Sequence, residues 1–419
     1  MVSGSHRRLA KLGAIAVSAA MLTACSTGTG SGKGGTDIRM LVNTTPVLTK
    51  QFYENLVAPY VAAHPGVKVT IEAPTGKGVT DSLQQDLAAG RPPAIIAGGQ
   101  NTQFADQMAP LPDEPWVRNA PFSQSAKLKG KVWMVGTGVQ IQSLVFYNKA
   151  AFQKAGITDP PRTVDQYTAD LRKLKTAGYT PLQTGGEWTT GSQFLMLANP
   201  NVMNTAPDWY AQRNKNAVSF ADSNYAKYLD VYQSWIKQGL VPKDADGTKY
   251  QDMITDFTTG KSATMVMGSW LVASVDSAKP SFGVGVFPVP TFDGSEPPQA
   301  SNPAMTYSVL KASNQQTAAM GLVKYLVSDK AAITTSLKAE GNFRTGYSYD
   351  ASLLTDEVGK ILDAAHGKVV AIGPGLGDNS APAGFEDEIN TQIQSLYLGT
   401  KPAAVAAAMD KWWTSNAPK

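Results

Sequence analysis

The sequence predicts an α/β protein built as two lobes in close contact. Short apolar strands alternate with amphipathic helices along most of the chain. That is the pattern of parallel β units, whose ligands sit at the carboxyl ends of the strands. The 419 residues exceed what one ordinary core organises. No internal repeat or long linker follows residue 36, which favours packed lobes over separate beads.

The elements follow in order. Ile38 to Val42 reads as a strand ending at Asn43-Thr44-Thr45-Pro46. Phe52, Leu56 and Tyr60 recur at helical spacing, with Pro59 expected to kink or shorten that helix. Val67 to Ile71 alternates as a second strand. Val79, Leu83 and Leu87 mark a helix stopped by Gly90, and Ala94 to Ala97 is a short buried strand. Leu144 to Tyr147 is a strand leading through Asn148-Lys149 into a helix around Phe152. Thr163 and Gln166 have capping-box spacing ahead of a helix whose apolar face is Val164, Tyr167, Leu171 and Leu174. Tyr225, Leu229, Tyr232 and Ile236 define another helix, ending at Gly239. Ala263 to Met267 and Val284 to Val289 are strands; Ala318, Leu322, Tyr325 and Leu326 share one helix face.

Composition narrows the function. Eight Trp, 13 Phe and 15 Tyr supply ample surface to bury, so disorder is not expected. No apolar run approaches the ~20 residues of a bilayer span, so a polytopic membrane protein is not expected. The net charge is +4, but Arg7, Arg8 and Lys11 lie in the first 24 residues, where there are no acids. The rest holds 34 basic against 33 acidic residues, so nucleic acid is not an expected partner.

The N-terminus carries its own signal. A basic start (residues 6–11) and an apolar stretch from Leu12 to Leu22 precede Leu22-Thr23-Ala24-Cys25, the layout of an export signal. LTAC resembles the bacterial lipobox, which implies a signal peptide at 1–24 and a diacylglycerol on Cys25. Two acyl chains anchor stably where one is marginal. Residues 25–36 then read as a Gly/Ser-rich tether. Cys25 is the only cysteine, so the body has no thiol for disulfides, Cys-based metal sites or nucleophilic catalysis.

Catalytic constellations are wanting. His64 in His-Pro-Gly and His366 before Gly367 read as surface caps, and there is no HExxH or G-x-S-x-G motif. Gly260-Lys261-Ser262 resembles the tail of a phosphate loop, but Thr255 occupies the required earlier glycine position. Gly373 to Gly377 does not match GxGxxG and reads as a turn. Glu386-Asp387-Glu388 reads as a solvated helix face. No metal or cofactor is expected.

Several motifs, in order, carry a family resemblance. They are His64-Pro65-Gly66-Val67-Lys68-Val69, Leu87 to Pro93, Gly130-Lys131-Val132-Trp133 leading into Leu144 to Lys149, and Phe152 to Gly156. Pro161-Arg162-Thr163-Val164-Asp165-Gln166, Gly260 to Met265 with Gly268-Ser269-Trp270, and Leu398 to Pro402 continue the series. Together they span nearly all of residues 37–414 and resemble the family 1 extracellular solute-binding proteins, which are maltose-binding-protein-like receptors of ABC importers. Val164 stands where the family usually has Trp. Gly136-Thr137-Gly138 replaces an aromatic-x-x-Pro pattern, and Ala94-Ile95 replaces Pro-Asp.

The resemblance implies a two-lobed periplasmic-binding-protein-like fold of class II type, with the ligand cleft between lobes joined by hinge crossings. Lobe one would be 37–140 plus 305–352, and lobe two 145–302 plus 356–419. Crossings would fall near Gln140–Leu144, near Asn302–Met305 and between the last two segments. The implied function is a monomeric, lipid-anchored receptor on the extracellular face of the cytoplasmic membrane. It would capture a mono- or oligosaccharide by hinge closure and deliver it to the permease subunits of an ABC importer, doing no chemistry on it.

Sugars call for polar rims and an aromatic plate. Trp270, Glu187-Trp188 and Phe385 fall where the family places acidic or stacking residues at the cleft. Thr44, Thr45, Gln100 and Asn101 end strands at the expected cleft face. Gln140, Gln142 and Asn302 lie in the presumed crossings, and Arg344 could pair with an acidic ligand. Trp133 reads as core. Two other functions stay open: the same fold binding a phosphorylated polyol or other small polar metabolite, and an exported glycoside hydrolase using a carboxylate pair.

Overall fold

The computed structural model describes residues 36–74, 78–99, 101–365, 369–370, 373 and 375–417, the side chains at 101–103, 299 and 369 aside. Cys25, the leader before it, His366 and Gln100 lie outside the described residues, as does the Asn101 side chain.

The chain begins with β1 (Thr36–Val42), β2 (Val67–Glu72) and β3 (Ile95–Ala97), and β1 lies between the other two, parallel to both. Next come β4 (Val135–Ile141) and β5 (Leu144–Asn148), separated only by Gln142 and Ser143. Then follow β6 (Thr180–Gln183), β7 (Ser262–Met267), β8 (Val284–Pro288), the long β9 (Gln299–Val309) and β10 (Val369–Val370).

One sheet runs β10-β9-β3-β1-β2 with β4 also on β9, and a second runs β6-β7-β5-β8. The fold is α/β and two-lobed, one lobe around each sheet. Both sheets are covered on both faces, so strand residues alternate between two cores. Along β1, Ile38, Met40 and Val42 enter a core with Tyr53, Leu56, Tyr307 and Leu322, while Leu41 faces a smaller one with Leu83, Ile96 and Leu310. Along β5, Val145 joins a large aromatic core with Tyr167, Phe194, Tyr225, Trp235 and Trp413. Leu144 and Phe146 point the other way, to Met253, Phe257, Leu271 and Val358.

Local signals hold where they are strong. Thr163 and Gln166 form a complete capping box, and the helix they open buries Val164, Tyr167, Leu171 and Leu174. Gly239, at φ +63°, ends the helix Asn224–Gln238.

Three expectations are corrected. The helix Lys50–Ala63 runs on through Pro59 and is not shortened by it. Burial of Tyr53, Leu56, Val57 and Tyr60 on one face outweighs the ~3 kcal/mol a helical proline costs. The second sheet is not built of parallel units throughout, because β5 is antiparallel to both β7 and β8. The strand before it, β4, pairs with β9 in the other sheet, so β5 enters as a crossing strand and not as the next strand of a strand–helix–strand unit. Trp133 is only partly buried, its indole donating to the Leu128 carbonyl at 3.1 Å.

The connections between the lobes are strained. β4 and β9 run antiparallel from Val135↔Tyr307 to Ile141↔Ser301. Ser143, between β4 and β5, has φ +56°, and Met305, inside β9, has φ +44°. Left-handed backbone at non-glycine residues costs ~1–3 kcal/mol and persists only where the surrounding structure imposes it.

Gly136 and Gly138 belong to the same crowded crossing. A Cβ at Gly138 would stand 2.3 Å from Leu337 Cδ2 and 2.8 Å from the Phe343 carbonyl, and one at Gly136 2.8 Å from Pro303 Cβ. Close chain approach accounts for glycine at both positions. Ala94 and Ile95, the other departure, are buried core.

Candidate functional site

A cleft of about 440 Å³ is lined by residues from the elements of both sheets. Its walls are strand ends and the loops that follow them, where open α/β sheets hold ligands. From the first sheet come Asn43, Thr44 and Thr45 after β1, and Gly98 and Gly99 after β3. Gln140, Gln142 and the Asn302–Thr306 stretch of β9 form the floor. Opposite stand Trp188, Ser192, Met196, Tyr250, Trp270, Gly373 and Glu386.

Three aromatic rings make the far wall. Trp188 begins the helix Thr189–Met203 and is 44% exposed; its ring centroid is 5.0 Å from that of Tyr250. Trp270 ends the loop after β7 and begins the helix Leu271–Ala278. Its indole Nε1 donates to the Tyr250 hydroxyl at 3.0 Å, and its ring lies over Gly268, where a Cβ would be 1.8 Å from it. Glycine at 268 is therefore required for the Trp270 rotamer. Burial pushes the Tyr250 hydroxyl up to about 12, partly offset by the Trp270 hydrogen bond, so it stays protonated.

The near wall holds the polar groups. Thr45 Oγ1 accepts from the backbone N–H of Val47 and Leu48 and donates to Glu340 Oε1 at 3.2 Å. Glu340 follows the helix Lys330–Ala339 and is 6% exposed. Burial raises its carboxyl to about 7, against the smaller opposing effect of the Thr45 hydroxyl. Tyr53, also lining the cleft, donates its hydroxyl to the Asn43 carbonyl at 3.0 Å. Gln142 Nε2 donates to Gln140 Oε1 at 3.3 Å. Glu386, in the first turn of the helix Phe385–Tyr397, keeps water contact, yet the protein around it raises its carboxyl, with Asp387 adding to the effect.

Thr44, Thr45, Gln140, Gln142, Trp188, Trp270 and Asn302 come together in the cleft lining. Three other sequence candidates do not. Phe385 is 2% exposed and packed against Tyr210, Phe220 and Trp413, because its helix needs an apolar anchor there. Arg344 is half-buried, donating Nη1 to the carbonyls of Thr137 and Val327, both at 3.0 Å, and covering the Tyr347 ring. Arg344 therefore stands outside the cleft lining. Glu187 takes φ +56° and accepts the Tyr250 backbone N–H at 3.2 Å, which seats the first residue of the helix Tyr250–Thr258. That helix start then carries the Tyr250 ring into the cleft.

Sequence reading passed over Tyr250, Glu340 and Tyr53, and assigned Glu386 to a solvated face only. The first three look like ordinary helix or loop positions; only the fold turns them to one cleft. Among the described residues no group of three or more His, Cys, Asp or Glu side chains is placed to hold a metal, and no helix is long and apolar enough to cross a membrane.

Residues 45–333 match the bacterial extracellular solute-binding protein family. The chain belongs to that family, whose members are binding proteins. It is 25% identical over 323 residues to a maltooligosaccharide ABC transporter solute-binding lipoprotein of Streptococcus pneumoniae, covering 69% of each chain. It is also 24% identical over 276 residues to the diacetylchitobiose binding protein DasA of Streptomyces coelicolor, covering 63% of each. It spans 63% of the length of the first curated relatives it matches, Brucella binding proteins 23% identical over 266 residues. Among solved structures, a chitin oligosaccharide binding protein superposes with a TM-score of 0.77 at 20% identity, covering 91% of this chain and 99% of the other. The solute-binding protein RafE in complex with raffinose does so with 0.74 at 16%, covering 91% and 100%. These last likenesses are of fold.

Proposed function

We propose that the chain is a receptor that captures a carbohydrate by closing its two lobes and delivers it to the permease of an ABC importer. The observation that carries this is the cleft itself. An aromatic wall of Trp188, Tyr250 and Trp270 faces a rim of hydroxyls and amides from Thr44, Gln140, Gln142 and Asn302. Flat C–H faces stack on the first and ring hydroxyls exchange hydrogen bonds with the second. Sugar-binding relatives and neighbours support the reading.

The halves are 37–140 with 305–352 and 145–302 with 356–419. A guest touching both stabilises the closed form by its differential affinity, which is what a permease can read. Export and lipid attachment at Cys25 hold the receptor, as a monomer, at the outer face of the cytoplasmic membrane. Fatty-acid labelling of intact cells that Cys25→Ser abolishes is the expected result.

A relative from Rhizobium meliloti, 26% identical over 239 residues, is an sn-glycerol-3-phosphate-binding protein. The two acidic side chains in this cleft offer a phosphate no counter-charge, and no Lys, Arg or His lines it among the described residues. Calorimetric titration with a panel of oligosaccharides and phosphorylated polyols, followed by chromatography of the recovered ligand, tests the function. Saturable binding of an intact oligosaccharide is expected. Binding of the phosphorylated compounds alone, or recovery of cleaved sugar, refutes it.

A further inference from the structure

We infer that the cleft takes a carbohydrate bearing a positively charged amine, with the carboxylates of Glu340 and Glu386 receiving that charge. The inference deepens the carbohydrate reading and rests on it.

The two acids reach one cleft from opposite lobes. Glu340 follows a helix packed into the first core, and Glu386 opens a helix whose Ile389 and Ile393 lie in the large aromatic core. Neither makes a salt bridge among the described residues. Glu340 is more than nine-tenths buried and lines the cleft. Its Oε1 holds the Thr45 hydroxyl, and Oε2 has no hydrogen-bond partner among the described residues. A buried carboxylate with one oxygen anchored and the other unpartnered is an acceptor already oriented for a donor.

Closure sharpens the choice of guest. Shutting the lobes on a neutral sugar strips water from Glu386 and offers both acids only hydroxyl donors, so any charge they carry is left without a counter-ion. An ammonium in the same place supplies the counter-charge and N–H donors together, as a charge-assisted hydrogen bond. Because the acids sit on opposite lobes, a cation between them favours the closed arrangement in particular. The wall of Trp188, Tyr250 and Trp270 tolerates this chemistry, since aromatic faces attract cations as well as C–H faces.

The test is titration, by intrinsic tryptophan fluorescence near neutral pH, with three trisaccharides: the glucosamine trimer, its N-acetylated counterpart and cellotriose. The glucosamine trimer is expected to bind at least about tenfold tighter than the other two. Glu340→Gln and, independently, Glu386→Gln should each draw that ratio toward one, with thermal melts establishing that the variants fold. Equal affinity for charged and neutral trisaccharides overturns the inference and leaves the carbohydrate receptor standing. So does a ratio that both substitutions leave unchanged. Binding of none of the three, nor of any other saccharide, removes both.

Discussion

The Thr45 hydroxyl donates to the Glu340 carboxylate at 3.2 Å, joining the loop after the first strand to the end of a helix 295 residues later. The contact holds an acid at the cleft that little else in its surroundings compensates, and its cost should be measurable. Glu340 titrates near 7 in the folded chain against 4.5 for the free side chain. The folded state therefore holds more protons than the unfolded state between those values, and stability falls as pH rises through that window. The loss is at most about 3 kcal/mol. Denaturant unfolding of wild type and Glu340→Gln, across pH 4.5 to 7, should show the variant gaining relative stability as pH rises. A constant difference would mean that Glu340 is not protonated in the folded chain.

Trp270 is both a wall of the cleft and a partner of Tyr250, and Trp270→Ala removes a stacking face and an indole donor together. Affinity for a bound oligosaccharide should fall by at least an order of magnitude, about 1.4 kcal/mol or more, while the far-ultraviolet circular dichroism is retained. Tyr250→Phe keeps a ring but loses the acceptor for Trp270 Nε1, and should cost about 1 kcal/mol of affinity. A Trp270→Ala protein that binds as wild type would reduce this side chain to packing.

Ligand and lobe closure are linked by mass action. A sugar at a hundred times its Kd should add about 2.7 kcal/mol of stability, read as a higher melting temperature. Small-angle scattering should register a smaller radius of gyration in the same sample. Stabilisation with identical scattering curves would place the guest on one lobe only.

The glycine at 138 is held by contact rather than by backbone conformation. Gly138→Ala would drive a methyl group toward Leu337 Cδ2 and the Phe343 carbonyl. Leu337 can rotate, but the carbonyl is tied to the Val139 N–H at 2.6 Å. A loss of about 1–3 kcal/mol is expected, seen as a lower denaturation midpoint with an unchanged m-value. A neutral result would show that the crossing has slack the structure does not suggest.

What the residues determine unaided is local. Caps, glycine stops and apolar periodicity are written within a few positions, so the capping box at Thr163 and the Gly239 stop could be read directly. The strand ends bearing Thr44, Thr45 and Trp270 were legible for the same reason. What the tertiary structure alone decided is where distant segments meet. Tyr250 and Glu340 reach the cleft because separate helices pack to bring them there. Phe385 and Arg344 turn away, since an apolar anchor and a pair of buried carbonyls claim them first. Side-chain direction across a fold is set by the burial of many residues at once, and no short stretch of sequence records that sum.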